Sequence, residues 1–277
     1  MKLMSNSIYT IHGMKTKLSF IGLTSLFFIL FSSCQKEDDL SVDKIRQENQ
    51  YPLNAKLERV LLFSDIDSEQ PISIVAEYEY DDDDRISKVS SPMYQDGEIA
   101  GALRYDLYEY NSIGQLATIT NYHANSNSPT GFINLKNYSY TYSAEGKKER
   151  EYIEYPQINS FEYSPFKYDN DRLARIEKYG NTNELESYIV NEYGGSGQII
   201  KETSYANDNH PYSYTEHIYS EGLNIKSNVY AGQTMEHIRE RLKTYDENHN
   251  LIILEINELS LFSCTMSYVL RYEYYDE

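Results

Sequence analysis

From Val75 onward the chain is built of short stretches in which aromatic or aliphatic residues alternate with polar ones, a period-two pattern that predicts β-strands. In VAEYEY, Ala76, Tyr78 and Tyr80 share one face while Val75, Glu77 and Glu79 share the other. In LKNYSYTY, Lys136, Tyr138, Tyr140 and Tyr142 face one way, and Leu135, Asn137, Ser139 and Thr141 the other. Near the end, MSYVLRYEYY places Met266, Tyr268, Leu270, Tyr272 and Tyr274 on a single side. The pattern predicts one packed face and one wet face for each strand.

These stretches follow a repeat. One phrase recurs as YEYDDDDRISKV, YEYNSIGQLATI, YTYSAEGKKERE, FKYDNDRLARIE, NEYGGSGQIIKE, HIYSEGLNIKSN and KTYDENHNLIIL, anchored by Tyr80, Tyr110, Tyr142, Tyr168, Tyr193, Tyr219 and Tyr245. The anchors lie 25 to 32 residues apart. Four residues after the anchor stand Asp84, Gly114, Gly146, Gly197 and His249, with Asp171 and Gly222 one place earlier in two shortened copies. Glycine takes positive φ freely, and Asn, Asp and His are the other residues found there most often, so every copy predicts a tight turn with a left-handed step. Each unit therefore reads as strand, turn, strand.

Seven hairpins, an opening strand near Leu57 to Phe63 and a closing one at Ser267 to Tyr275 make about fifteen strands, whereas twisted open sheets rarely pass roughly ten. The expected fold is all-β: an antiparallel meander of repeated hairpins, closed or coiled into a barrel-like sheet, which also removes sticky edges. A β-propeller is the alternative, because two hairpins match the length of a four-stranded blade. Lys136, Arg150, Glu192, Glu216, Arg239, Arg241 and Lys243 fall inside predicted strands, which argues against a barrel wall set in lipid.

The recurring tyrosine, small or acidic residue, loop glycine and Arg–Leu or Gln–Leu resemble the YD repeats of the Rhs family, with YDNDRLARI the nearest copy. Rhs proteins use dozens of such repeats as a shell around a toxin, whereas this chain has about eight, too few for that role.

The N-terminal part carries a different signal. Leu18 to Phe31 is mostly apolar, follows Lys15 and Lys17, and lies in a stretch with no acidic residue before Cys34. This is the layout of a secretory signal, residues 1–33, and Met14 is an attractive alternative start. Cys34 after Ser32 and Ser33 resembles the lipobox of bacterial lipoproteins, in which the thiol receives a diacylglycerol and the chain is cut before it. Phe31 departs from the usual aliphatic residue there. Gln35, Lys36, Glu37, Asp38 and Asp39 are similar to the export signal that sends Bacteroidota lipoproteins to the exterior of the outer membrane. The resemblance implies a lipidated acidic tether at 34–54, palmitate among its fatty acids, and a single YD-repeat domain at 55–277. Size, lipobox and acidic tag together resemble the small Bacteroidota lipoproteins of unknown function with a porin-like β-barrel fold, a family that brings no catalytic residues with it. Two or three acyl chains hold durably where one does not.

Composition narrows the partners. The formal net charge is −18, which disfavours nucleic acid and anionic headgroups as ligands. The membrane is then met only through the lipid. Cys264, the other cysteine, sits in the apolar run LFSCTMSYVL and reads as a small buried side chain. The chain has 29 tyrosines and no tryptophan, a choice that suits strands.

A search for chemistry finds little. The six histidines, at 12, 123, 210, 217, 237 and 249, show no zinc spacing. GGSG at 194–197 belongs to a hairpin and not to a nucleophile elbow. Asp81 to Asp84 offers four carboxylates but no glycine to fold a loop round calcium, so it reads as a solvated turn. No catalytic residue, metal or cofactor is expected. The tyrosine ladders, Tyr78 and Tyr80, Tyr108 and Tyr110, and Tyr138, Tyr140 and Tyr142, present the ring-plus-hydroxyl chemistry that stacks on sugars, or else they pack between hairpins. The functions that follow are a non-enzymatic surface lipoprotein binding a glycan or an envelope protein, a structural or assembly accessory, or an enzyme acting on glycans through carboxylates at a barrel mouth.

Overall fold

The computed structural model describes residues 55–95, 98–259 and 267–275, all within the unit Glu48–Glu277. The signal segment, Cys34 with Gln35, Lys36, Glu37, Asp38 and Asp39, the tether and Cys264 lie outside the described residues. Among the described residues there are sixteen strands and no helix. They begin with β1 (Leu57–Phe63), β2 (Ser73–Tyr80), β3 (Ile86–Gln95), β4 (Glu98–Tyr110), β5 (Leu116–Ala124) and β6 (Phe132–Tyr142). Next come β7 (Lys148–Tyr155), β8 (Ser160–Asp169), β9 (Arg172–Tyr179), β10 (Leu185–Tyr193) and β11 (Ile199–Ala206). The last are β12 (Pro211–Ser220), β13 (Leu223–Ala231), β14 (His237–Tyr245), β15 (Leu251–Glu258) and β16 (Ser267–Tyr274). Each strand pairs antiparallel with its neighbours in sequence, and β1 pairs with β16, closing the meander into a barrel. The propeller is not needed.

Every predicted turn residue has positive φ. Asp84, Gly114, Gly146, Gly197 and His249 take the left-handed step in the five longer turns. The two shortened copies use consecutive left-handed pairs, Asn170–Asp171 and Glu221–Gly222, as a two-residue hairpin turn requires. The residue after the anchor tyrosine caps the turn: the side chains of Asp81, Asn111, Ser143 and Asp246 each accept from two amides across the loop. Short polar side chains do this well, which explains the acidic or small residue of the repeat.

The anchor tyrosine joins one hairpin to the one before it. The hydroxyls of Tyr80, Tyr110, Tyr142 and Tyr168 donate to the carbonyls of Leu57, Ile86, Leu116 and Lys148 at 2.8–2.9 Å. Those of Tyr193, Tyr219, Tyr245 and Tyr274 donate likewise to Leu173, Ile199, Asn224 and Leu251, at 2.8–2.9 Å. All eight bonds lie at one rim, where the regular ladder ends, and each goes to a carbonyl of the first or second residue of an odd-numbered strand. A β-bulge sits beside each anchor, as between Glu109 and Tyr110, which bends and twists the strand pair toward closure.

In four copies, at Arg85, Gln115, Lys147 and Arg172, the residue just after the turn reaches forward to the next repeat. Arg85 lies over the Tyr110 ring and Arg172 over the Tyr193 ring, at 4.6 and 5.4 Å from the centroids. Where the left-handed position holds Asp instead of Gly, the preceding repeat supplies a lysine: Lys56 pairs with Asp84 and Lys147 with Asp171.

The weld between β1 and β16, which no turn enforces, is apolar on both faces. Val60, Leu62, Leu270 and Tyr272 are buried on one side. Leu61, Phe63 and Val269 are buried on the other, with Ile74 and Ile253 packed against them. Removing one clasp tests its contribution: Tyr110→Phe is expected to lower stability by about 1 kcal/mol. The same change at Tyr152, an exposed ring outside the clasps, is expected to be near neutral by denaturant titration.

Candidate functional site

Following cross-strand partners around the barrel separates its two faces. The face of the anchor tyrosines carries Tyr78, Val89, Asp106, Tyr108, Ile119, Tyr138, Tyr140, Ile153, Ile176, Asn191, Glu202, His217, Ser227, Lys243 and Leu254. These positions are buried or half-buried. The opposite face is open to solvent at Glu79, Leu107, Glu109, Ser139, Thr141, Tyr152, Glu154 and Ile218. The anchor face is therefore the lumen side. Charges sit inside strands on both faces: Lys136, Arg239, Arg241 and Lys243 face the lumen, and Arg150, Glu192 and Glu216 the outside.

The lumen has an apolar wall at β1, β2, β15 and β16, and a polar wall from β10 to β14. On the polar wall His217 is the hub. Its Nε2 lies 3.1 Å from Glu202 Oε2, and its Nδ1 lies 2.9 Å from Ser227 Oγ and 3.1 Å from Asn224 Nδ2. The amide of Asn224 donates to Nδ1, which puts the ring proton on Nε2, facing the carboxylate. A serine, a histidine and a carboxylate in series are the parts of a nucleophilic relay. Here Ser227 is only 2% exposed, so no substrate reaches its hydroxyl, and the cluster satisfies polar groups buried against one another. On the lumen face of β5, burial and then the charges of Arg104 and Lys136 hold His123 below its ordinary pKa.

At the clasped rim a notch of about 330 Å³ opens between the β8–β9 turn and β10, lined by Asp169, Asn170, Arg172, Ala174, Asn191 and Tyr193. This turn is one residue shorter than those at 143–146 and 194–197. Asn191 Nδ2 donates to the Leu173 carbonyl at 2.9 Å, the same oxygen that accepts from Tyr193. Asn191 Oδ1 is buried without a hydrogen-bond partner.

The structure brings together all seven candidate stacking residues, Tyr78, Tyr80, Tyr108, Tyr110, Tyr138, Tyr140 and Tyr142, on the lumen face of β2, β4 and β6. Tyr78 is 3% exposed, and burial raises its hydroxyl pKa. The hydroxyls of Tyr80, Tyr110 and Tyr142 are occupied by clasps. A second aromatic set lies on the outer face, unforeseen from the sequence. Tyr105–Tyr122, Tyr163–Tyr179, Tyr188–Tyr205 and Tyr214–Tyr230 stack across strands at 4.6–5.0 Å. Arg150, Arg175 and Lys201 lie over Tyr163, Tyr188 and Tyr214. With each of these three rings between a cation and another ring, both faces are covered and only edges point out. Beside this row Glu177 is pushed up by burial. Hydrogen bonds from Lys167 and Tyr179, with the charges of Lys167 and Arg175, outweigh that and hold it below the usual carboxylate range.

The polar wall was legible in one respect only. Stepping back two residues from the anchors gives Tyr78, Tyr108, Tyr140, Asn191, His217 and Lys243, one ring of the lumen, and Glu202 and Ser227 pair into that ring. Among the described residues no cluster of acidic, histidine or cysteine side chains is arranged to hold a metal, and Arg85 pairs with Asp81 and Asp83 in the acidic turn.

No protein-family model matches the chain, and no curated protein matches it. Among solved structures it is similar to a porin-like protein from Bacteroides uniformis ATCC 8492, with 9% identity and a TM-score of 0.34, over 79% of this chain and 98% of that one. It is also similar to a porin-like protein from Bacteroides vulgatus ATCC 8482, with 9% identity and a TM-score of 0.38, over 81% and 100%. A third likeness is to TcdB2-TccC3, at 14% identity and a TM-score of 0.24, over 76% of this chain and 13% of that one. Likenesses at this level assign no role to any residue here.

If the His217 hub is structural, His217→Leu should lower stability by about 1–3 kcal/mol, because Glu202, Asn224 and Ser227 lose their shared partner. An unchanged denaturation midpoint would count against that role.

Proposed function

We propose that this chain is an envelope lipoprotein, held in the outer membrane by acyl groups on Cys34 and facing the exterior, whose barrel stands in water and binds a glycan or another envelope protein without catalysis. The observation that carries the reading is charge on both barrel faces. Whichever face looked outward, Lys136, Arg239, Arg241 and Lys243, or Arg150, Glu192 and Glu216, would meet hydrocarbon if the wall lay in lipid. Each such residue at the midplane costs about 2–4 kcal/mol for Arg or Lys and less for Glu, which favours a barrel outside the bilayer. A lipid tether then supplies the membrane attachment that the wall does not. The polar lumen wall and its notch support a binding role for the barrel.

A structural or assembly accessory is the second reading. It is favoured by the clasped tyrosines, whose hydroxyls serve the barrel itself. A glycan-acting enzyme is the weakest, since the one serine, histidine and carboxylate series found among the described residues is sealed.

Two experiments test the placement. Cys34→Ala should move the protein from the membrane fraction to the soluble one, and a variant that stays membrane-bound would refute the anchor. Replacing Lys36, Glu37 and Asp38 with alanine should protect the barrel from protease added to whole cells. Equal cleavage with and without the acidic tag would remove the case for surface display.

A further inference from the structure

We propose that the barrel rim opposite the tyrosine clasps is a lipid-docking collar, which seats in the headgroup region of a zwitterionic membrane surface while the rest of the wall stays in water. This goes beyond the tether above: it is a second membrane contact, made by the barrel itself.

The collar lies on the outer face. The four stacked tyrosine pairs there are joined by Phe132 against Tyr105 at 4.9 Å, Tyr152 against Phe161 at 5.5 Å and His237 against Tyr230 at 5.0 Å. Every strand from β4 to β14 thus carries a ring on its outer face. On each of them except β4, which runs on past β5, a ring lies within three residues of the strand end opposite the clasps. Only Tyr188 of this belt is buried, and Tyr152 is 37% exposed. Girdles of such amphipathic rings mark the level of the water–lipid interface on barrels.

At the same rim, three of the described connections carry exposed apolar tips. These are Ile72 between β1 and β2 at 61%, Ile158 between β7 and β8 at 72%, and Met235 between β13 and β14 at 72%. Around the sixteen-strand ring they stand six, six and four strands apart. Three spread points and an annular belt fit a flat surface, which meets the whole circumference at once. A protein partner would meet one sector.

Charge follows the same order of depth. Lys88, Arg150, Arg175 and Lys201 each cover a belt ring, and each is paired opposite the residue two places nearer the clasps than that ring. Tips, then rings, then cations is the order met from the acyl boundary out to the phosphates. Asp65, Glu69 and Glu236, in the same connections as the tips, repel anionic lipid and suit the ammonium groups of a zwitterionic one. The tether enters at the clasped rim, where β1 begins. Extended, residues 34–54 reach about 70 Å, further than the roughly 43 Å of the longest strand, β4, so the collar is free to meet the membrane.

The chain has no tryptophan, so single substitutions report depth directly. Ile158→Trp, Met235→Trp and, at the clasped rim, Ile113→Trp are compared on the full chain in vesicles of brominated and ordinary phosphatidylcholine. The first two should lose about half or more of their fluorescence to the bromines, because docked side chains sit roughly 5–10 Å into the boundary, and Ile113→Trp should not change. All three positions are more than 70% exposed, so circular dichroism of the variants should match the parent. In a Tyr152→Trp background, Ile158→Asp with Met235→Asp should abolish quenching of the belt. Equal emission in both lipids at every position, or quenching of Ile113→Trp as well, would overturn the collar. Quenching that rises when phosphatidylglycerol replaces part of the lipid would overturn the zwitterionic assignment.

Discussion

The barrel depends on a single repeated bond, the hydroxyl of an anchor tyrosine to a carbonyl at the start of a neighbouring strand. At any one rim a meander of hairpins has tight turns at alternate seams only. At the seams between hairpins the ladder frays at the rim, and an unpaired carbonyl there weakens the closure. Eight clasps of 2.8–2.9 Å remove that weakness. Each clasp contributes on the order of 1 kcal/mol, so together they amount to a sizeable part of a typical domain's net stability. Phenylalanine would fill the same volume without the bond. This is why the repeat holds its tyrosine while its aliphatic and polar neighbours vary.

The clasp also coordinates its surroundings. The bulge beside it turns the strand, the turn after it reverses the chain, and in three copies a cation after the turn, Arg85, Lys147 or Arg172, covers the next ring. Sequence variation is compensated locally: Lys56 and Lys147 stand before the copies whose left-handed residue is an aspartate, and Arg85 and Arg172 before copies with glycine. Compact cores are small here, because a closed sheet of this size divides its side chains between a lumen and an outer surface. What apolar packing exists gathers at the weld of β1 with β16, the pairing with the greatest sequence separation and the largest loop-closure cost.

The candidate site was legible unevenly. Tyr78, Tyr108 and Tyr140 stood out because tyrosine repeated at one step from the anchor. At that same step Asn191 and His217 take the place of the ring, and without the register nothing marks them as lumen residues beside Glu202 and Ser227. The outer row of stacked tyrosines was hidden for a similar reason: its partners, such as Tyr188 and Tyr205, lie on different strands and meet only through pairing. The orphan oxygen of Asn191 is a matter of which end of an amide faces Leu173, which no periodicity encodes.

By itself the sequence determined the elements, the turns and their sign of φ, and the need for the sheet to curl. These are local properties: period two is visible within a strand, and a left-handed residue is selected by its own side chain. It also fixed the chemistry that faces each way, since alternation assigns faces once a strand exists. The tertiary structure alone decided that the meander closes between β1 and β16, that the anchor face is the lumen, and that the tyrosine hydroxyls are occupied by neighbouring carbonyls. Closure and register are set by residues far apart in the chain, whose pairing energy depends on every strand between them.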